Sequence, residues 1–211
     1  MKCIAGVFLL AATGMAQALL TPVESHDAKP LTVTARPAYL PMTASERWKQ
    51  YKHDNFTGAG AYFRSLNTAA FGEAWGHPNA WPSTTRGFAQ RFGSSFGRNA
   101  VQGTITDGMA AALGHDTRYL PCDCSGKGAR LRYALEMTVM TRNQNGRKVF
   151  DISRFAGMYG GALVMSTWRP HHLNAAADSA RLTGIGVSTS ILTNIAREFA
   201  PELRQKLRRY H

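Results

Sequence analysis

The stretch from Arg86 to Gly97 constrains the fold of this chain more than any other. Phe88, Phe92 and Phe96 recur every four residues, and Ala89, Gly93 and Gly97 form a second line beside them. A helix aligns residues at that interval, so the segment presents aromatic knobs next to a smooth strip of small residues. Another backbone can approach such a strip closely. The interval continues through Val101, Ile105, Met109 and Leu113, and Asp107 within that run argues against lipid around it. No series alternates with period two and no exact internal repeat occurs. The expected fold is all-α: a compact, glycine-rich helical bundle.

Local signals divide the chain further. Thr43 and Glu46 have capping-box spacing, so a helix should start there and run through Trp48 and Tyr51 until Gly58 and Gly60 interrupt it. A second stretch carries Phe63, Leu66, Ala70 and Phe71 toward Trp75, and the prolines at 78 and 82 make a loop. From Ala129 to Arg142 the spacing predicts a helix with Leu131, Leu135, Thr138 and Val139 on its buried face. Arg132 and Glu136 would pair outside that face. Asn143 to Gly146 reads as a turn, and Asp151 as the cap of a helix running to Trp168 with Gly157 and Gly161 four apart. The last helix starts at Ala175, with Leu182, Ile185, Thr189, Leu192, Ala196 and Phe199 expected inward and a kink at Pro201. Phe155 to Trp168 and Leu182 to Ala196 are uncharged but shorter than the ~20 residues of a bilayer span. Buried core helices are the favoured reading, and a short hairpin in lipid is the other.

The N-terminus reads as an export signal. Lys2 precedes an apolar run from Ile4 to Ala12, and Ala16-Gln17-Ala18 places small residues where a signal peptidase reads them. Cleavage after residue 18 removes Cys3, and residues 19–42, with four prolines, form an extended, disordered leader ahead of a helical domain at 43–211. The expected location is the periplasm or outer envelope. Of the formal net charge of +12, the signal contributes only Lys2. Such a charge favours anionic partners. Export moves anionic lipid or envelope polymer ahead of nucleic acid.

Sites of chemistry are few. Gly93-Ser94-Ser95-Phe96-Gly97 fits GxSxG, but a nucleophile elbow needs a strand before its serine, and Arg86 to Phe92 is amphipathic helix. The pair Cys122 and Cys124 could close a disulfide, or bind a soft metal with His115, or with His171 and His172, completing the set. In His115-Asp116, Asp116 is expected to cap or close a turn. HExxH, a Walker loop and a dinucleotide glycine fingerprint are absent, and no cofactor is nominated.

RFGSSFG at Arg91 to Gly97, HDTRYL at His115 to Leu120 and RYALEMTVMTR at Arg132 to Arg142 form a recognisable series with SRFAG at Ser153 to Gly157 and AREFAPEL at Ala196 to Leu203. On these motifs the stretch from Gly87 to Pro201 resembles a family of exported bacterial proteins of unknown function. The resemblance implies export and a glycine-rich helical body, and it carries no activity. The chain departs from that family at Thr117, where its members have proline, and at Cys122 and Cys124, which they lack.

The resulting expectation is a non-enzymatic envelope protein held on anionic membrane or envelope surfaces by its C-terminal half. Seven bases against two acids occur from Gly126 to Arg154, and the tail supplies Arg204, Lys206, Arg208 and Arg209. The rivals are an exported enzyme or metal-binding protein built around His115, Asp116, Cys122 and Cys124, and a carrier with a cavity lined by Phe88, Phe92 and Phe96.

Overall fold

The computed structural model describes residues 39–76, 78–170 and 174–209, with the backbone alone at 203–207 and 209. The expected signal peptide, most of the leader, and His171 and His172 lie outside the described residues. Helix α1 (Ala44–Lys52) begins on the expected capping box: Thr43 Oγ1 accepts from the Glu46 amide, and the Thr43 amide donates to Glu46 Oε2 at 2.8 Å. The chain continues through a π-helical turn (His53–Thr57) to Gly58, where α2 (Ala59–Ala74) starts at once, so Gly60 interrupts nothing. The periodic run from Arg86 to Leu113 is one helix, α3 (Thr85–Leu113), closed by Gly114 in the left-handed region at φ 66.

The described body is mainly helical, with one small antiparallel sheet that the sequence pattern hides. Its strands are β1 (His115–Asp116), β2 (Met140–Asn143) and β3 (Lys148–Phe150), in that spatial order. Helix α4 (Lys127–Val139) therefore ends before Arg142, where the chain turns into β2. Met140 pairs with Phe150 and Arg142 with Lys148 around the expected turn, where Asn143 Oδ1 accepts the amides of Asn145 and Arg147. Strands this short cannot display the alternation that reveals a half-buried strand. Helices α5 (Ile152–Met165) and α6 (Ala175–Arg209) complete the chain, and Asp151 caps α5 by accepting the Arg154 amide.

The larger helices meet in series. α2 packs on α3, α3 on α5, α5 on α6, and α6 on α4, while contact between helices further apart in this row is marginal. A helix in a row buries only the strips that touch its neighbours. Those strips are made of small and polar residues. Gly157 and Gly161 of α5 lie directly on Gln102 and Thr106 of α3, and Gly103 faces Asn55 of the π-helical turn. The fully buried apolar side chains are alanines, methionines and Tyr133. Among the described residues no leucine, isoleucine, valine, phenylalanine or tryptophan is fully buried.

This arrangement corrects several expected faces. On α4 the buried side is Tyr133, Ala134, Met137 and Thr138; of the residues expected inward only Thr138 is there, and Leu131, Leu135 and Val139 are exposed. On α6 the inward residues are Ser179, Asn194 and Glu198, while Ile185 and Leu192 are exposed and Thr189 is on the outside. Glu136 pairs with Lys148 of β3 across the hairpin, at 2.6 Å, and not with Arg132. The strip at Gly93 contacts nothing within 4 Å, and Gly97 meets only Trp168. Phe155 to Met165 and Leu182 to Ala196 lie on helices that pack against each other, and the first of these ends before the expected Trp168. No helix among the described residues is long and apolar enough to cross a membrane.

Candidate functional site

The polar interior is the framework on which every other surface hangs. Asp116, almost fully buried at the start of the sheet, accepts from Tyr39 Oη at 2.8 Å, from the Arg118 amide at 3.0 Å and from Arg118 Nη2 at 2.7 Å. It thus closes the turn expected of it. Burial alone would raise the Asp116 carboxyl, but the hydrogen bonds from Arg118 and Tyr39 outweigh it and hold the group below 3.8. Burial and the adjacent carboxylate push Tyr39 up to about 12. Arg118 also donates to the Leu40 carbonyl, and Met42 is buried, so residues 39–42 are docked on the body and do not belong to an extended leader.

His115, the neighbour of Asp116, faces the N-terminus of α5. Its Nδ1 lies 3.4 Å from Ser153 Oγ, and Ser153 donates in turn to Asp151 Oδ1 at 2.6 Å. Ser153 is about as buried as a side chain can be, and its proton is committed to the capping carboxylate. This chain of groups orients α5; it offers a substrate no access. Ser95 of the GxSxG sequence is buried in the middle of α3, far from the strained turn an elbow requires.

A second interior carboxylate, Glu198 of α6, anchors the cysteine loop. Tyr119 Oη and the Cys122 amide donate to its Oε1 at 2.7 and 2.8 Å, and Arg130 of α4 reaches its Oε2 and also pairs with Glu202. Burial, followed by the hydrogen bond to Glu198, drives Tyr119 far above its ordinary range. Cys122 and Cys124 are joined to each other as a disulfide. Among the described residues no three His, Cys, Asp or Glu side chains gather as a metal would require, so His115 is not brought into a metal set with this pair. The aromatic stripe does not form an enclosed cavity: Phe92 lines an open apolar groove with Tyr62, Phe63 and Leu66.

A third interior carboxyl differs in kind. Burial, with Asp54 adding to it, pushes Asp107 of α3 up to about 6, while a hydrogen bond from Asn55 and the charge of Arg47 oppose the rise.

What remains for contact is the outside, and it has a definite character. Lys127, Leu131, Leu135 and Val139 stand in line along α4 at intervals of four, all exposed. The Val139 carbonyl accepts the Asp151 amide, which brings Phe150 and Ile152 beside it, and these two are 54% and 50% exposed. Tyr159 and Leu163 continue the exposed line along α5. Arg132 and Arg147 are exposed on the same α4–hairpin unit and make no ion pair among the described residues. Six of the acids, by contrast, are engaged: Glu73, Asp116, Glu136, Asp151, Glu198 and Glu202 pair with arginine or lysine. Of the seven bases from Gly126 to Arg154, four are therefore occupied internally. Arg130, Lys148 and Arg154 hold acids, and Arg142 donates to the Gly146 carbonyl. Lys127, Arg132 and Arg147 are the ones that face out. In the tail, α6 continues through Pro201 to Arg209, and Arg208 is exposed. The side chains of Arg204, Lys206 and Arg209 lie outside the described residues.

Comparison with known protein families, with curated proteins and with solved structures finds no match to this chain. The family resemblance therefore rests on its motifs alone. Periodicity missed the exposed line on α4 because period four is the same for a face that turns inward and one that turns outward. The available signal was the other side of the helix: Tyr133, Ala134, Met137 and Thr138 are small or flexible enough to pack closely.

Proposed function

We propose that this protein is a non-enzymatic component of the cell envelope that lies on an anionic lipid surface through the outer side of α4, the β2–β3 hairpin and α5. One observation carries the reading: large apolar side chains and bases without an ion pair among the described residues are exposed together on these elements, while the carboxylates there, Glu136 and Asp151, are held by Lys148 and Arg154. Leu131, Leu135, Val139, Phe150 and Ile152 gain free energy by leaving water, about 25 cal/mol for each Å² removed. Lys127, Arg132 and Arg147 find headgroup phosphates at the same depth, each contributing ~1 kcal/mol near an anionic membrane. An exposed apolar face ringed by cations fits such a boundary better than it fits bulk water. The joined Cys122–Cys124 pair supports an oxidising compartment, as export would provide.

Cell fractionation tests the location. The protein should sediment with membranes at low salt and be released by high salt or alkaline carbonate without detergent. Recovery in the soluble fraction at low salt would contradict the reading, as would retention until detergent is added.

A further inference from the structure

We propose that the Cys122–Cys124 disulfide is a redox-active site that exchanges with the dithiols of other proteins. The bond spans a single residue, Asp123, and so closes a very short loop. A cross-link restricts the unfolded chain in proportion to the logarithm of the loop it closes, so this one adds little to stability. Its neighbours also do not need it. Loop residues Pro121, Asp123, Ser125 and Gly126 are exposed, and the loop is held instead by the Cys122 amide bonded to buried Glu198. Cys122 therefore stays in place when the disulfide opens, while Cys124, on the side of exposed Ser125 and Gly126, is free to move. Cys124 lies just ahead of α4, whose first turn has no side-chain cap and contains Lys127 and Arg130. The N-terminal amides of the helix and the cation of Lys127 favour a thiolate, whereas Arg130 is already held by Glu198 and Glu202.

The exchange balances without another reagent. A partner thiolate attacks Sγ of Cys124, the Sγ–Sγ bond breaks, and its electron pair leaves on Sγ of Cys122. The second thiol of the same partner, losing its proton, attacks the mixed disulfide and displaces Cys124 as thiolate. The partner departs oxidised with a new S–S bond, and its two protons end on Cys122 and Cys124. The reverse sequence reduces or reshuffles a partner's disulfide.

The site is tested with the full chain, ribonuclease carrying scrambled disulfides, and a glutathione buffer. Catalytic amounts of the protein should speed recovery of ribonuclease activity at least tenfold over the buffer, and the double variant Cys122→Ser, Cys124→Ser should lose that gain. The double variant should keep its far-ultraviolet circular dichroism, so the loss is not one of folding. Cys122→Ser alone should trap a mixed disulfide through Cys124. Equal rates for the protein and the double serine variant would overturn the proposal. So would a fold that melts on reduction, which would make the bond a staple.

Discussion

Replacing Gly157 by leucine should destabilise the protein severely, while the same replacement at Gly93 leaves its urea midpoint unchanged. A Cβ at Gly157 would stand 1.9 Å from Thr106 Oγ1 and 2.7 Å from the Gln102 carbonyl oxygen. The threonine could rotate; the backbone carbonyl inside α3 cannot move without moving the helix. Overpacking of this kind costs ~1–3 kcal/mol in forgiving cores and more against a rigid backbone. A typical domain holds only ~5–15 kcal/mol in all. At Gly93 an added Cβ meets nothing within 4 Å, so the side chain simply projects outward. Equal midpoints for the two variants would mean that α3 and α5 do not meet at their small residues, and the row of helices would be wrong.

Asp116→Ala should be nearly as damaging, and its effect should depend on pH. The substitution removes the acceptor for Tyr39 Oη and for the Arg118 amide and guanidinium, releasing residues 39–42 from the body. Breaking a buried ion pair from one side typically costs ~3–5 kcal/mol. Because Arg118 and Tyr39 hold the carboxyl below its unfolded value, the folded state binds fewer protons at this group. Its stabilisation is therefore complete above the unfolded value, near 3.8, and is lost as pH falls through the lower folded value. Urea midpoints at neutral pH should separate the parent from the variant widely, and the gap should narrow as pH falls through the lowered folded value. A constant gap across that range would show that the loss is one of packing and not of charge.

Legibility followed the length of each signal. The capping box at Thr43, the turn at Asn143 to Gly146 and the cap at Asp151 are local hydrogen-bonding choices, and each occurs where its residues stand. The two long helices were legible as periodic runs. The orientation of those runs was not legible. Reading large apolar residues as the inward side fails for α4 and α6, because here the narrow contacts between neighbouring helices select Ala, Gly, Ser and Met. Long-range partners escaped as well. Nothing in the spacing of Tyr39, Asp116 and Thr141, or of Tyr119, Arg130 and Glu198, announces that they meet. The bases between Gly126 and Arg154 stand out in the sequence as a charge cluster, but which of them face out depends on those same internal pairs.

Vesicle co-sedimentation tests the central claim most directly. The chain lacking its first 18 residues should pellet with vesicles containing phosphatidylglycerol and not with pure phosphatidylcholine, and added salt should weaken binding steeply as the Debye length shortens. Replacing Lys127, Arg132 and Arg147 with glutamine should reduce binding at least tenfold, as ~1 kcal/mol from each implies. Replacing Leu131 and Leu135 with glutamine should weaken it further in a manner that salt does not alter. Equal binding to neutral and anionic vesicles, or no binding to either, would contradict the account.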